Sequence, residues 1–184
     1  MNRQPVEGLA RRAKAGDAAA FRVLWRQSHP RLVRYLRVVA GDGAEDVAAE
    51  TWLAVTRDLD SFDGDDDFAG WVFTIARNRH LDWRRHEARR PADPVPVDRL
   101  DRVAADDNPA RSLMEVEGTE AALALVAELP PDQAEVVALR TIGGLTVAEV
   151  AAVVGKRRGA VRVLSHRGLR RLAARLSEEH GARV

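Results

Sequence analysis

The sequence contains no cysteine, which excludes disulfide bonds, thiolate metal sites and cysteine nucleophiles. It has no apolar run near the roughly 18 residues that a membrane span needs. The first residues, Met1 to Arg12, are polar and charged and lack the apolar core of a signal peptide. Aromatic residues make up only 5% of the 184 residues, and alanine, leucine, valine and arginine dominate. This composition favours helices and predicts a cytoplasmic protein without membrane insertion.

The net charge of +1 hides a strong separation of charge along the chain. Residues 42–67 contain ten carboxylates and a single cation, Arg57. Residues 77–90 contain six arginines and two histidines against two carboxylates, and residues 150–177 contain eight lysines or arginines and no carboxylate. One acidic surface and two basic surfaces are therefore predicted, and such surfaces indicate partners more clearly than the net charge does.

Apolar residues recur at helical spacing along almost the whole chain, and no stretch alternates for long enough to predict a strand. The fold class is therefore predicted to be all-α. Residues 91–112 are rich in proline, aspartate, alanine and valine without a clear period, which is typical of a flexible, solvated linker. We expect two small helical domains on either side of it, over 1–90 and 113–184.

The start of the first domain carries two signals for helix ends. Asp17 is placed to cap a helix that buries Phe21, Leu24 and Trp25. Pro30 suits the first turn of the next helix, because proline lacks the N–H that a first turn leaves unpaired. A helix break is therefore expected just before Pro30.

Two further helices are predicted in the first domain. One covers residues 45–58 and carries the acidic segment. The other covers residues 68–90, ends in the first basic segment, and is capped by Asp66 or Asp67.

The second domain has the more specific local pattern. Thr146 and Glu149 are spaced as a capping box, in which each side chain pairs with the other residue's backbone N–H. The short helix that follows should end at Gly155, and a basic helix is predicted over residues 158–176. A helix, a tight turn and a second helix of this kind form a helix-turn-helix, which places its second member in the DNA major groove.

Both halves resemble a known family. Residues 44–53 (AEDVAAETWL) and 68–85 (FAGWVFTIARNRHLDWRR) resemble the polymerase-binding and promoter-melting domain of bacterial sigma factors. Residues 129–133 (LPPDQ), 144–151 (GLTVAEVA) and 159–167 (GAVRVLSHR) resemble their promoter-reading domain. Two such domains joined by a loose linker resemble the extracytoplasmic-function subgroup of the sigma-70 family.

This resemblance implies that the helix from Glu45 onward docks on RNA polymerase. Asp46 and Glu50 would make its ionic contacts, with Val47 and Trp52 also in the polymerase-binding set. Ala49 stands where the family commonly has glutamine, so one polar contact is expected to be missing.

The resemblance also implies that the long basic helix and the loop before it recognise and melt the minus-ten promoter element. Cations along the backbone and surfaces for unstacked bases are what single-stranded DNA requires. The loop would help to form a pocket for an extruded base, and the helix would supply a base contact and phosphate contacts. The expected minus-ten residues are Ser61, Phe62, Arg77, Asn78, Arg79, Arg84 and Arg85.

The helix-turn-helix would read the minus-thirty-five element, since arginine suits bidentate contact with guanine in the major groove. Arg157 and Ala160 stand where the family often has serine and threonine, so the base preference cannot be transferred. Leu169 and Leu172 are predicted to lie in the core. The expected minus-thirty-five residues are Lys156, Arg157, Arg158, Arg162, His166 and Arg167.

The function implied is a transcription initiation factor that binds core RNA polymerase and promoter DNA, is monomeric when free, and is held by an anti-sigma protein. No catalytic site, cofactor or metal is expected. The alternative is a stand-alone helix-turn-helix regulator, which would explain the basic C-terminal helix but not the acidic helix before it. A helical metalloenzyme is disfavoured because His80 and His86 lie among arginines, which would repel a cation.

Overall fold

A computed structural model describes residues 3–63, 67–89 and 119–181, and these residues form helices and turns without a strand. The all-α fold class is confirmed. The linker predicted over 91–112 lies outside the described residues. In the N-terminal part, two short 3-10 turns at Gly41–Gly43 and Leu59–Ser61 separate the helices, which are α1 (Arg3–Lys14), α2 (Ala18–Ala40), α3 (Ala44–Asp58) and α4 (Phe68–Glu87).

The C-terminal part contains four helical segments. The first, α5, covers residues 119–127 of the described chain. The others are α6 (Pro131–Thr141), α7 (Val147–Val154) and α8 (Arg158–Gly181). None of the helices within the described ranges is long and apolar enough to cross a membrane.

The N-terminus of α2 is capped as predicted. The Asp17 carboxylate accepts hydrogen bonds from the backbone N–H groups of Ala19 and Ala20, at 2.9 and 3.0 Å. These two N–H groups have no partner inside the helix, so the side chain satisfies donors that would otherwise need water.

The prediction of a helix break before Pro30 is wrong. Helix α2 runs through Pro30 without interruption, although proline in a helix interior costs about 3 kcal/mol. Leu24, Leu32 and Leu36 lie on one face of this helix and are fully buried on both sides of the proline. Burying each of them contributes about 1.5 to 3 kcal/mol, so the three leucines together outweigh the cost of the proline.

Trp25 is a second correction in α2, because 38% of it is exposed. It stacks on His29 at a ring-centroid distance of 4.5 Å and covers the outer side of that ring. Leu24 is buried as predicted, and Phe21 is partly buried against the core.

Helix α4 is capped by Asp67, whose carboxylate accepts from the Gly70 N–H at 3.1 Å. The helix ends at Glu87, three residues before the predicted end. Its buried face, which includes Val72, Phe73 and Ala76, packs against α2 and α3.

The helix-turn-helix forms as predicted. Both hydrogen bonds of the capping box between Thr146 and Glu149 are present. Gly155 adopts the left-handed conformation, with φ 65° and ψ 30°, which few residues other than glycine adopt at low cost. A Cβ atom on Gly168 would lie 2.7 Å from Val137 Cγ2, so α8 packs closely against α6 only because this position is glycine.

Leu169 departs from the predicted core, since 47% of it is exposed. Val161 and Gly168 occupy the inward face of α8, and Leu172 is partly buried against the same core. Leu169 lies one residue after Gly168, which turns its side chain about 100° away from the inward face.

The two halves of the chain are in contact with each other. Helices α2 and α4 pack against α6 and α7, and buried residues from both halves form one connected apolar cluster. We call this contact the domain interface.

Candidate polymerase and nucleic-acid surfaces

One side of α3 forms an exposed acidic face. Asp46, Ala49, Glu50 and Leu53 are spaced three and four residues apart and are all exposed. Because the Ala49 side chain is apolar, no hydrogen-bonding group lies between the carboxylates of Asp46 and Glu50 on this face. A protein partner with basic and apolar groups could bind this face.

Leu53 was not anticipated from the sequence, although 72% of it is exposed. The sequence carried a signal for it. Val47, Thr51 and Val55 form the inward face of α3, and Leu53 lies on the opposite side with Asp46 and Glu50.

Val47 and Trp52 were predicted to bind polymerase, but the structure buries both side chains. Val47 is completely enclosed by the core, so a partner on the acidic face cannot reach it. Helical period explains the difference, since Val47 lies one residue after Asp46 and points about 100° away from it. The contribution of these two residues to the surface is to hold α3 in place.

Trp52 is held by an aromatic cluster on α2. Its Nε1–H donates to His29 Nδ1 at 3.1 Å, and Phe21 meets its ring edge-on at 6.1 Å. Burial lowers the pKa of His29, and the carboxylate of Glu45 opposes this shift. A neutral imidazole is required here, because Nδ1 can accept the indole N–H only when it is unprotonated.

The loop before α4 does not present both of its predicted residues. Ser61 is exposed, and its hydroxyl donates to the Asp58 carbonyl at 2.6 Å. Phe62 is buried and meets Phe68 edge-on at 5.5 Å, with Trp71 also in contact at 5.1 Å. Of the described residues before α4, Phe62 therefore packs inward, while Ser61 and Asp63 are exposed.

The predicted minus-ten residues of α4 lie on different sides of the helix. Asn78, Arg84 and Arg85 are exposed, and Arg85 pairs with Asp82. Arg79 faces the end of α3, where its charge adds to the hydrogen bond from Arg57 in lowering the pKa of Asp58. Arg77 is directed into the domain interface.

Trp83 of the same helix is partly buried and packs on the backbone of Gly43. A Cβ atom at Gly43 would lie 2.6 Å from Trp83 Cε2, which leaves no space for any other residue type at that position. The ring of His80 stacks against Trp83 at a centroid distance of 6.2 Å. The indole is therefore fixed on the surface beside the exposed arginines of α4.

The outward face of α8 is basic. Arg162, His166 and Arg167 are exposed, with Arg162 and His166 one helical turn apart, and Arg157 and Arg158 are exposed at the start of the helix. Lys156 is less free, because its ammonium pairs with Asp132 at 3.1 Å.

Two arginines nearer the C-terminal end of α8 bind side chains of the same domain. Arg171 donates to the Gln133 side chain at 2.9 Å, and Arg175 pairs with Glu128. Val163 was not singled out by the sequence as a surface residue, yet it is exposed beside Arg162. Within the described ranges, no three histidine, aspartate or glutamate side chains are grouped so as to hold a metal ion.

Comparison with protein families gives two matches, in chain order. The model described as Sigma-70 region 2 matches residues 24–90, and the model described as Sigma-70, region 4 matches residues 119–172. The first match contains the acidic face and α4, and the second contains the helix-turn-helix.

Two relatives are named as extracytoplasmic-function RNA polymerase sigma factors. The chain is 37% identical to BldN of Streptomyces coelicolor over 174 residues, covering 93% of this chain and 66% of BldN, just under two thirds of its length. It is 33% identical to SigD of Mycobacterium tuberculosis over 182 residues, covering 94% of this chain and 84% of SigD.

A solved structure has a similar fold. The structure of CnrH in complex with the cytosolic domain of CnrY matches with a TM-score of 0.66 and 25% identity, covering 94% of this chain and 97% of CnrH.

Proposed function

Because this chain belongs to the sigma-70 family, in its extracytoplasmic-function subgroup, we propose that it binds core RNA polymerase and directs it to specific promoters. The observation that carries the proposal is the order of the two matched regions together with the charge of their surfaces. An acidic exposed face lies on α3 of the first region, and a basic exposed face lies on α8 of the second.

The acidic face of α3 is the proposed polymerase-binding surface. Asp46 and Glu50 would make ionic contacts, and Leu53 would add an apolar contact about one helical turn after Glu50. Trp52 and Val47 would act from beneath, by fixing the helix on the core.

The proposed minus-ten surface is formed by Ser61, Asn78, Arg84 and Arg85, with Arg77 available only when it is released from the domain interface. Arginine side chains would follow the phosphates of the separated strand, and Trp83 would offer a ring for stacking. Arg79 would contribute through its position beside α3 rather than through a direct base contact.

The proposed minus-thirty-five surface is the outward face of α8. Arg162, His166 and Arg167 would enter the major groove, with Lys156, Arg157 and Arg158 contacting phosphates at the start of the helix. Exposed Val163 would lie among them and could meet the methyl group of a thymine.

Three further properties belong to the same proposal. The chain would contribute no bond-making chemistry of its own, since polymerase carries out the reaction. Its action would lie in the bacterial cytoplasm, where polymerase and promoter DNA are found. By analogy with CnrH, which is held by the cytosolic domain of CnrY, a protein inhibitor would bind the free factor.

The test is run-off transcription from a promoter library with purified core polymerase, with and without this protein. We expect transcripts that depend on the protein and start downstream of a shared two-element motif. Arg162→Ala should reduce these transcripts at least about fivefold, because an arginine contact to guanine contributes ~1 to 3 kcal/mol of discrimination. Arg175→Ala is the matched control, since Arg175 pairs with Glu128 inside the domain.

A binding assay without DNA tests the polymerase surface separately. Asp46→Arg should weaken binding to core polymerase, whereas Glu178→Arg, which reverses an exposed carboxylate at the far end of α8, should leave it unchanged. If no transcript depends on the protein while it binds duplex DNA alone with a steep salt dependence, the stand-alone regulator becomes the better account.

A further inference from the structure

The last residue of α1, Lys14, reaches the segment that precedes α4. Its ammonium donates to the backbone carbonyl of Phe62 at 3.0 Å, although the two residues lie 48 positions apart in the sequence. Phe62 stands between Ser61 and Asp63, which are exposed. A side chain of the first helix therefore holds the backbone of the segment that the proposed function assigns to an extruded base.

Phe62 is also held through its N–H and its ring. The N–H donates to the Leu59 carbonyl at 3.1 Å, at the end of the 3-10 turn. The buried ring contacts Phe68 and Trp71. The carbonyl oxygen lies in the plane of the rigid peptide that leads to Asp63. The bond from Lys14 therefore sets the direction in which the chain leaves Phe62.

A rigid corner between α1 and α2 sets the position of Lys14. The Gly16 N–H donates to the Ala13 carbonyl at 3.0 Å. The Asp17 N–H donates to the Arg12 carbonyl at the same distance, which completes a Schellman motif at the end of α1. Gly16 has a φ of 90°, a conformation that glycine adopts without steric cost.

Side chains strengthen the same corner. The Arg12 guanidinium donates twice to one oxygen of the Asp17 carboxylate, at 2.9 and 2.6 Å, while the other oxygen caps α2. Ala10 and Ala13 are buried in the core against the helices that α1 contacts. Lys14 therefore leaves α1 from a well-defined point.

The bond from Lys14 differs in kind from the other side-chain bond in this segment. The Ser61 hydroxyl donates to the Asp58 carbonyl at 2.6 Å, a contact within a single turn that forms wherever the turn forms. The bond from Lys14 to Phe62 joins distant parts of the chain. Its removal should change the direction of the peptide after Phe62 and leave the 3-10 turn intact.

This support comes from outside the region that matches the family. The match to Sigma-70 region 2 covers residues 24–90, so Lys14 and the corner precede it, whereas Ser61 and Phe62 lie within it. The first helix of this chain thus adds a contact to a segment of the matched region.

We propose that Lys14 is a positioning residue for base selection: by holding the Phe62 carbonyl, it fixes how Ser61 and Asp63 are presented to a base extruded from the minus-ten element. This inference deepens the proposed function and rests on it. Lys14 acts through the segment and does not contact the base. Its loss widens the choice of base at one promoter position and leaves the preference at the other positions unchanged.

The test uses polymerase holoenzyme assembled with the full chain and single-stranded minus-ten oligonucleotides. The extruded position is first identified as the one at which a fluorescent adenine analogue becomes unstacked when the holoenzyme binds. Affinity is then measured with each of the four bases at that position and at a neighbouring one. Lys14→Met keeps the length of the side chain and removes the donor, and Lys14→Arg keeps a cationic donor.

We expect Lys14→Met to reduce the affinity ratio between the best and the worst base at the extruded position about fivefold, which corresponds to ~1 kcal/mol, the size of one hydrogen-bond contribution. The ratio at the neighbouring position should not change. Lys14→Arg should recover most of the lost selectivity. Arg22→Met is the matched control, since it removes an exposed cation from α2 and should leave both ratios unchanged.

Three results would overturn the inference. Equal ratios in the unaltered and Lys14→Met proteins would show that the contact has no effect on base selection. Uniform weakening for all four bases, with a salt slope reduced by about one, would show that Lys14 binds a phosphate directly. A lower free energy of unfolding with unchanged ratios would make its role purely structural.

Failure of the proposed function gives a different result. The unaltered protein would then direct no transcripts in the run-off assay, and the inference would fall with it. If the unaltered protein transcribes and only the base ratios of Lys14→Met fail to change, the inference is wrong and the proposed function stands.

Discussion

Among the described glycines of the N-terminal domain, Gly43 is the one at which an added side chain is most restricted by its neighbours. Its φ of −76° suits any amino acid, so the restriction comes only from the Trp83 ring that lies on its Cα. In Gly43→Ala, the new methyl group would force the indole off the backbone. We expect a loss of about 1 to 3 kcal/mol in the free energy of unfolding, the usual cost of overpacking, together with a changed near-UV circular dichroism signal.

Gly8→Ala is the control for this substitution. Gly8 lies within α1, and a Cβ atom there would meet nothing within 4 Å. Alanine should stabilise that helix by about 0.5 to 1 kcal/mol, because glycine loses more backbone entropy on folding. A Gly43→Ala variant as stable as the unaltered chain would mean that the indole does not need this backbone surface.

His80 should make stability depend on pH. Burial lowers its pKa to about 4, with Arg84 and then Arg77 adding to the shift. Its Nδ1 is buried without a hydrogen-bond partner, and the residue is 4% exposed. Because the unfolded chain takes up this proton near pH 6.5 and the folded chain does so only near pH 4, the folded state loses stability as pH falls through that window.

The expected loss is about 2 kcal/mol between pH 7.5 and pH 5, measured by denaturant unfolding. His80→Gln, which cannot be protonated, should remove most of this dependence whatever its effect on absolute stability. His29, whose pKa is also lowered by burial, would retain a smaller slope of the same sign. Equal slopes for the two proteins between pH 7.5 and pH 5 would refute the role of His80.

At the scale of the element, α7 depends on its N-terminal cap more than a longer helix would. It has only eight residues, and the capping box supplies two hydrogen bonds, from Glu149 N–H to the Thr146 hydroxyl at 3.3 Å and from Thr146 N–H to the Glu149 carboxylate at 2.7 Å. Thr146→Ala should cost about 1 kcal/mol and increase amide hydrogen exchange along α7. Thr146→Ser keeps the acceptor and should exchange nearly as slowly as the unaltered chain; equal exchange in both variants would count against the cap.

Local signals predicted most of these elements, and the failures have a common physical cause. Asp17, Asp67, the capping box and Gly155 act through bonds within a few residues, so their effect can be recognised in the sequence alone. Pro30 is also a local signal, but burial of the leucines on either side of it decides the outcome. That burial depends on contacts with distant parts of the chain, which a local pattern does not contain.

The same reasoning applies to the candidate surfaces. The exposed positions of Asp46, Glu50 and Arg162 could be predicted from their charge, since an unpaired charge is costly to bury. Apolar and aromatic members were harder to assign. Val47 and Phe62 were grouped with the surface by their position in a motif, but they are buried, while Leu53 was omitted and is exposed. A motif indicates which segment is functional, and helical period decides which of its residues face a partner.

At the scale of the whole molecule, the contact between the two halves could not be predicted. Arg77 and Glu135 are 58 residues apart, and Arg31 and Gly143 are 112 residues apart. Each of these residues has an ordinary function within its own helix, as a solvated charge or a turn. Only the packing of α2 and α4 on α6 and α7 brings them together, and this depends on the shape of both assembled domains.

Arg31 should therefore couple the unfolding of the two domains. Its hydrogen bonds to the Ile142 and Gly143 carbonyls are part-buried, and their loss in Arg31→Ala would leave α6 without these two donors at its C-terminus. Hydrogen bonds from charged groups contribute about 1.5 to 3 kcal/mol. For a domain of this size that corresponds to a fall in Tm on the order of 10 °C. Calorimetry should then resolve a separate, earlier transition for the C-terminal domain.

Arg34→Ala, three residues further along α2 and exposed, is the matched control. If both variants unfold in the same single transition, the domains are coupled by apolar packing alone and Arg31 is dispensable.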